Sequence, residues 1–228
     1  MLPDDMNEHS LKMRDRVETH RRLVDAAERV LRVKGLARAT TKEITREAGL
    51  AEGTLYLHFA DKLDLIRAVQ EKLLPPFIEL LLQLPAKAGA RTVEANLTEV
   101  AEQAMVLYRD MLLVGSGLFA DPELLERFRT RMRELGGGPH RAYEPIVAYL
   151  EAEQALGRVA AGADLVGAGV LLLGGCQQHV FVEQLSGPDL APLGDRPSTA
   201  AALVRALLAG LAPAQPPDPE DTDLEARA

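Results

Sequence analysis

Side chains that donate and accept hydrogen bonds recur between residues 40 and 62, in the segment TTKEITREAGLAEGTLYLHFADK. Thr54, Tyr56 and His58 stand two residues apart, and Lys62 follows four residues later. Polar and cationic groups of this kind bind phosphate oxygens and reach the donors and acceptors on base edges. The segment therefore predicts contact with nucleic acid, provided that a folded element holds these groups outward.

Residue patterns for other chemistry do not stand out in the sequence. Five scattered histidines and one cysteine supply no paired metal ligands, and we find no Ser-His-Asp arrangement or close carboxylate pair. The glycines at 136–138 lack the following Lys and Ser or Thr of a phosphate-binding loop. The sequence predicts neither an enzyme nor a cofactor or metal site.

Local signals predict the elements that position the polar groups. Thr40 and Glu43 form the Thr-x-x-Glu pattern of a capping box, so a helix should begin at Thr41. Gly49 tolerates the left-handed backbone that ends a helix and turns the chain. A second short helix is expected at about residues 52–58.

The second helix should be anchored by Leu55 and Phe59, which leaves Thr54, Tyr56 and His58 for outward contacts. Asp61 and Asp64 then form an N-cap pattern for a further helix. Two short helices joined by a tight turn are typical of the helix-turn-helix motif that enters the major groove of DNA.

These residues resemble the N-terminal domain of the TetR family of transcriptional regulators, over roughly residues 23–65. The resemblance implies an all-α fold, with an N-terminal three-helix DNA-binding domain and a C-terminal helical ligand-binding and dimerisation domain. It is carried by Leu23, Ala26, Ala27, Gly35, Thr40, Thr41, Ile44, Ala48, Gly49, Leu50, Gly53, Thr54, Leu55, Tyr56, His58, Phe59 and Lys62.

Three positions depart from the family's pattern. Ala51 stands where a serine cap is frequent, Glu52 where a basic residue is frequent, and Thr45 where alanine is frequent. Glutamate does not attract phosphate, so Glu52 either accepts a hydrogen bond from a cytosine amino group or faces solvent. These departures bear on the DNA sequence that is recognised more than on the function.

The predicted DNA contacts fall into two groups. Phosphates are assigned to Thr41, Tyr56 and Lys62, and base edges to Thr54 and His58, with Arg46 and Glu52 as further candidates. The complete set of predicted DNA-binding residues is Thr40, Thr41, Arg46, Glu52, Gly53, Thr54, Tyr56, His58 and Lys62.

The net charge of −8 appears unfavourable for DNA, but the charge is unevenly distributed. Residues 12–46 carry eleven Lys and Arg against five Asp and Glu, a local charge of +6 that leaves −14 for the remainder. Binding of phosphate depends on the field within about 10 Å rather than on the total charge. The asymmetry favours DNA binding by the N-terminal part, although these charges could also serve only to solubilise the first helix.

The 228 residues suffice for a sizeable core and one or two domains. The single cysteine, Cys176, excludes an internal disulfide, and its apolar surroundings favour a buried thiol over a redox sensor. The N-terminus has no secretory signal, and the apolar stretch 165–176 is too short to span a bilayer. We expect a soluble, cytoplasmic protein without a membrane partner.

Four segments are predicted along the chain. Residues 1–14 are predicted to be a flexible N-terminal arm. Lys12, Arg14 and the adjoining Arg16 could reach a minor groove, or the charged end could simply fray. Residues 15–62 form the helix-turn-helix domain, 63–212 the helical regulatory and dimerisation domain, and 213–228 a disordered acidic tail.

Helix boundaries follow from apolar periodicity and from proline and glycine. Pro75 and Pro76 should kink or break the helix that begins at Lys62, and Ser198 should cap the last helix. The other helices are predicted at about residues 17–34, 91–114, 122 onward, 143–157, 164–185 and 199–209.

The last two helices carry small residues at regular spacing, among them Gly167, Gly174 and Ala202. The resemblance implies that such helices form a four-helix bundle between two subunits. A two-fold dimer would also read a palindromic operator with two recognition helices. The alternative is that these helices pack only within one subunit.

The middle helices are predicted to enclose an effector pocket. His179 beside Gln178 is a polar cluster on an otherwise apolar helix, and its partners could be a ligand, solvent or the same cluster in a second subunit. Most of the other candidates could equally be ordinary core. The predicted ligand-binding residues are Met105, Tyr108, Met111, Phe119, Phe128, Tyr143, Gln178 and His179.

Together these features predict a sequence-specific, DNA-binding transcriptional regulator, a repressor that a small lipophilic ligand releases from its operator. A ligand-independent regulator or activator is the alternative within DNA binding. A helical ligand-binding protein or enzyme without DNA function, and a protein-binding adaptor, are alternatives from other classes.

Overall fold

The structure, a computed structural model, describes residues 3–187, 189 and 194–211, and the side chains from Met13 onward. These residues contain ten α-helices and no strand, which confirms the predicted all-α fold. Short 3-10 turns occur at Pro85–Lys87, Ser116–Leu118 and Pro139–Ala142. The helices are α1 Pro3–Lys34, α2 Thr41–Glu47, α3 Glu52–His58, α4 Lys62–Leu73, α5 Pro75–Gln83, α6 Val93–Gly115, α7 Pro122–Glu134, α8 Tyr143–Ala155, α9 Leu165–Ser186 and α10 Arg196–Ala209.

The chain divides into two compact units. The first unit consists of Met1–Ile78 and Val106–Pro139, and the second of Glu79–Met105 and His140–Ala228. Helices α5 and α6 therefore each contribute residues to both units. The predicted domain boundary at residues 62 and 63 stays a prediction, and the predicted acidic tail lies outside the described residues.

An apolar stripe on α1 forms the centre of the first unit. Leu23, Ala26, Ala27 and Leu31 are almost completely buried, and α1 packs against α2 and α4. Burial of one leucine typically stabilises a core by about 2–5 kcal/mol relative to alanine. This core therefore supports α2 and α3, whose seven residues each are too few to form stable helices alone.

The start of α1 differs from the prediction. The helix begins at Pro3 and not near residue 17, so Arg14 and Arg16 belong to a helix and not to a non-helical arm. The prediction was wrong because it rested on apolar periodicity, which marks only the part of a helix that packs. A polar sequence with a proline in the first turn can extend a helix beyond its packed part.

Capping explains most of the other boundaries. Asp61 accepts a hydrogen bond from the Asp64 N–H (2.9 Å) at the start of α4, and Pro75 begins α5 directly after α4 ends. The predicted cap of α10 is wrong, because Asp195 and not Ser198 occupies that position. The Asp195 carboxylate accepts from the Ser198 N–H (3.0 Å), so α10 begins at Arg196.

A buried polar network lies in the second unit. The fully buried Glu153 carboxylate accepts two hydrogen bonds from Arg158 (both 2.6 Å) and one from the Gly89 N–H (3.3 Å). Asn96 donates to the hydroxyl of Tyr149 (3.0 Å), whose pKa burial raises to about 12. A buried carboxylate is costly unless it is paired, so these contacts fix α8 against the start of α6.

Helix α9 is the most apolar long element of the second unit. Among the described residues it is the one helix whose length and composition would also allow it to cross a membrane, and 39% of its apolar window is buried in this chain. The buried side packs against α8 and α10, while the opposite side is exposed.

Candidate nucleic-acid interface

The helix-turn-helix is held by the contacts that the sequence predicts. The Glu43 N–H donates to Thr40 Oγ1 (3.2 Å), and the Thr40 N–H donates to a Glu43 carboxylate oxygen (3.3 Å), which completes the capping box. Gly49 has a φ of 67°, a left-handed conformation that favours glycine. The Leu50 N–H returns to the Thr45 carbonyl (2.8 Å) and closes the turn before α3.

The packing of α3 decides which of its residues point outward. Leu55 and Phe59 are buried in the core of the first unit. Successive helix residues are rotated by about 100°, so Gly53 and Leu57 lie nearly opposite Leu55. Leu57 is accordingly 74% exposed, and the neighbouring Tyr56 is 57% exposed. These three residues form the outward face of α3.

Thr54 and His58 lie at one side of that face and are half-buried, so neither is sealed beneath other side chains. The His58 ring lies 5.9 Å from the His20 ring of α1, and His20 stacks on Phe59 at 4.7 Å. Burial, followed by the charges of His20 and Arg16, lowers the pKa of His58. His58 is therefore held mainly neutral at pH 7.

Lys62 has a partner within the first unit. Its ammonium group donates a hydrogen bond to the Leu36 carbonyl (2.6 Å), which ties the start of α4 to the connection between α1 and α2. Burial lowers the pKa of Lys62. Its predicted phosphate contact stays a prediction, and the geometry adds a role in positioning these elements.

The remaining predicted DNA contacts lie on α2 and at the start of α3. The Thr40 hydroxyl donates to Glu43 (3.1 Å), Thr41 is half-buried, and Glu52 is exposed. Arg46 is exposed on α2 and lines a groove of about 420 Å³ between α1 and α2. Arg46 thus lies on α2, whereas Tyr56 lies on α3. The contact of Arg46 with a base stays a prediction.

Ion pairs within the unit reduce the positive charge that is free for phosphate. Four cations of α1 have carboxylate partners: Arg21 with Glu18, Arg29 with Glu47, Arg32 with Glu28 and Asp110, and Lys34 with Glu43. Two further exposed cations donate to backbone carbonyls, Arg22 to Ala48 and Arg38 to Lys34. Four others in residues 13–46 are exposed and have neither kind of partner among the described residues: Arg14, Arg16, Lys42 and Arg46. This last group is the better estimate of the cationic surface, because paired charges largely cancel at a distance.

Two residues of this site were missed in the sequence analysis. Leu57 lies at the centre of the outward face of α3, and His20 adjoins His58 from α1. The rotation of 100° per residue from Leu55 could have identified Leu57. No local signal could have identified His20, because it is 38 positions from His58 and meets it only through the packing of α1.

The eight predicted ligand-binding residues are divided between the two units. Tyr108, Met111, Phe119 and Phe128 belong to the first unit, and Met105, Tyr143, Gln178 and His179 to the second. In the second unit His179 is buried, and its Nδ1 lies 3.4 Å from the Thr199 hydroxyl. That contact supplies one partner for the polar cluster on α9, and the effector role of all eight residues stays a prediction.

Comparison with known proteins identifies the N-terminal part most directly. A family model described as "Bacterial regulatory proteins, tetR family" matches residues 23–69. The HTH-type transcriptional repressor BepR of Brucella suis is 34% identical over 89 residues, which are 39% of this chain and 40% of BepR. The chain thus spans less than half the length of this relative.

Solved structures extend the likeness to the fold of most of the chain. The SmeT–triclosan complex has a TM-score of 0.64 at 20% identity and covers 89% of this chain and 98% of SmeT. SmeT is the repressor of the Stenotrophomonas maltophilia multidrug efflux pump SmeDEF. FadR of Bacillus subtilis in complex with stearoyl-CoA has a TM-score of 0.63 at 19% identity and covers 83% of this chain and 98% of FadR.

The relatives are transcriptional regulators and not enzymes. Residues 23–69 thus match the tetR family of bacterial regulatory proteins, and the all-α fold of most of the chain is similar to that of solved regulators of this kind.

Proposed function

We propose that this protein is a sequence-specific transcriptional regulator that binds double-stranded DNA through α3. The carrying observation is the outward face of α3, on which Gly53, Tyr56 and Leu57 are exposed beside a buried anchor at Leu55. A short helix held in this way can enter the major groove, where base edges are distinguishable. The exposed cations Arg16 and Lys42 on the preceding helices supply contacts for phosphate.

The active form that we propose is a homodimer on a palindromic operator. Helix α9 exposes an apolar stripe on one side, formed by Val166, Val170, Phe181 and Leu185, with Gly174 at its centre. The same stripe of a second subunit would cover this stripe, and the two α3 helices would then be related by one two-fold axis. A membrane is the less suitable partner, because Gln177 and Gln178 are exposed among the apolar positions of α9.

We further propose that the regulator is a cytoplasmic repressor that a small lipophilic ligand releases from its operator. The support comes from relatives: BepR and SmeT are repressors, and SmeT and FadR have been crystallised with triclosan and stearoyl-CoA. A ligand that prefers the form unable to bind DNA by about 1.4 kcal/mol weakens operator binding tenfold. The predicted pocket residues are mostly apolar, which favours a lipophilic effector.

The test of DNA binding starts with selection of retarded fragments from genomic DNA, followed by a mobility-shift titration. Tyr56→Ala should weaken binding to the selected operator at least tenfold, because the exposed ring lies on the outward face of α3. Val33→Ala is the matched control, since Val33 is also exposed in the first unit but lies on α1. Equal binding by the two variants, or no retarded fragment, would contradict the proposal.

A ligand-independent regulator or an activator is the second candidate. Mass spectrometry of small molecules released from the purified protein, with a thermal-shift screen, distinguishes it, because a ligand that binds only the folded state raises Tm. A compound that raises Tm and also releases operator DNA supports the repressor. A reporter that falls silent when the gene is deleted identifies an activator.

A further inference from the structure

The centre of the outward face of α3 is apolar. Leu57 is 74% exposed and points away from the buried Leu55, while Gly53, one turn earlier, has no neighbouring atom within 4 Å of the position that a Cβ would occupy. The backbone at Gly53 can therefore approach another surface closely. Among the large apolar side chains of α3, Leu57 is the most exposed.

The groups around Leu57 provide few hydrogen bonds for reading bases. Helix α3 contains no Lys or Arg, and its polar side chains are Glu52, Thr54, Tyr56 and His58. Thr54 and His58 are half-buried at one side, and Glu52 and Tyr56 lie at the other. Hydrogen-bond recognition is thus confined to the margins of the face, and the central position can discriminate only through an apolar contact.

The major groove offers one apolar group, the C5-methyl of thymine. An exposed leucine alone is ordinary on a protein surface. Leu57, however, lies at the middle of the face that docks on DNA, so a specific group of the DNA must lie against it. The polar atoms of the base edges cannot form hydrogen bonds with a leucine, which leaves the thymine methyl group as its favourable partner.

We propose that Leu57 is a specificity-determining residue that contacts the methyl group of one thymine in each half of the operator. This inference rests on the proposed function, and it identifies a chemical feature of the DNA that α3 selects. The thymine should lie near the middle of each half-site, beside the bases that Thr54 and His58 reach.

The experiment removes the methyl group alone. In the selected operator one thymine position at a time is changed to deoxyuridine, at the equivalent place in both half-sites. Kd is measured for each operator by fluorescence anisotropy at constant salt. For the natural protein, one position should weaken binding about fourfold per half-site, the typical effect of one buried methyl-sized group. The other positions should change Kd less than twofold.

Leu57→Ala should bind the natural operator more weakly and should no longer distinguish thymine from deoxyuridine at that position. Leu82→Ala is the control, because Leu82 is a similarly exposed leucine (70%) on α5, and it should retain the profile of the natural protein. A melting curve for each variant checks that the exposed leucine can be replaced without unfolding.

Operator binding in which no thymine responds, or in which Leu57→Ala keeps the same response, overturns the role of Leu57 and leaves DNA binding intact. If the natural protein retards no DNA at all, the proposed function itself fails.

Discussion

Helices α3 and α9 each expose a leucine to nearly the same extent, Leu57 at 74% and Leu185 at 73%, but their surroundings differ. On α3 the leucine is one of seven residues and has polar neighbours on both sides. On α9 apolar positions recur on one face over 22 residues. A groove in DNA can accept one such side chain, whereas a protein interface requires a continuous area of about 800 Å² per partner.

The two helices also differ in the charges of the units that contain them. The first unit presents Arg16, Lys42 and Arg46 without carboxylate partners among its described residues, whereas Lys87, Arg91 and Arg158 of the second unit are paired with carboxylates. Exposed apolar area therefore does not identify a partner by itself. The charge nearby and the continuity of the face distinguish a DNA contact from a subunit contact.

The largest expected effect is that of salt concentration, which should weaken the DNA contact of α3 far more than the subunit contact of α9. Four exposed, unpaired cations per subunit correspond to eight in a dimer, and six to ten phosphate contacts imply a loss of about 10³–10⁵ in DNA affinity between 50 and 200 mM salt. Dimerisation through α9 should change little over this range. Anisotropy titrations and sedimentation velocity measure the two constants.

Lysine variants sharpen the salt experiment. Lys42→Ala should reduce the slope of log Kd against log salt by about 1.8 for two subunits. Lys72→Ala should leave the slope unchanged, since Lys72 is paired with Asp25 and Glu28. Equal slopes for both variants would show that the unpaired cations do not contact phosphate.

A charge on the exposed stripe of α9 should break the dimer. Phe181→Glu should produce a monomer at micromolar concentration and weaken operator binding more than 100-fold, because burial of an unpaired carboxylate costs several kcal/mol. Light scattering coupled to size-exclusion chromatography measures the mass. Leu82→Glu on α5 is the matched control, and a dimeric Phe181→Glu protein would refute the assignment of this face.

Replacement of Gly174 by alanine tests the dimer through the direction of the change in stability. In an exposed helix, glycine to alanine stabilises by about 1 kcal/mol, and nothing in the chain lies within 4 Å of a Cβ at this position. If two α9 helices cross closely there, Gly174→Ala should instead weaken the dimer by a similar amount. Urea unfolding at several protein concentrations separates the two outcomes.

The effect of pH on the stability of the first unit should be smaller than the effects described above. Because the pKa of His58 is lowered in the folded state, the unfolded chain binds more protons, so the free energy of unfolding should fall as the pH decreases below about 6.5. His58→Gln should reduce this fall relative to the natural protein, as measured by urea unfolding at pH 7.5 and pH 5. An unchanged difference between the two pH values would contradict the role of His58.

The smallest effect is expected at Cys176, on the buried side of α9, whose thiol should hardly react with alkylating reagents. Burial raises the pKa of Cys176 to about 12, so its thiol stays protonated and inaccessible at pH 8. Iodoacetamide should leave the native protein essentially unmodified and label it fully in urea, as determined by mass spectrometry. Rapid labelling of the native protein would favour the redox-sensor alternative.

The sequence was sufficient for elements whose signals are local. The capping box at Thr40, the turn at Gly49 and the cap at Asp61 predict α2, α3 and α4 with the starts that the structure has. Each of these signals depends on hydrogen bonds or backbone angles within four residues, which are nearly independent of the rest of the chain. The beginning of α1 could not be predicted in this way, since its polar part makes no packing pattern.

Only the tertiary structure decided which groups are available for function. The burial of Leu55 and Phe59 against α1 turns Leu57 outward, and Arg32 meets Asp110 across 78 positions of sequence. The sequence by itself determined most of the helices, the caps of α2 and α4 and the excess of cations near the N-terminus. Which of those cations remain unpaired, and which face of α3 is free, depends on contacts between distant residues, because burial and ion pairing are properties of the packed chain and not of local spacing.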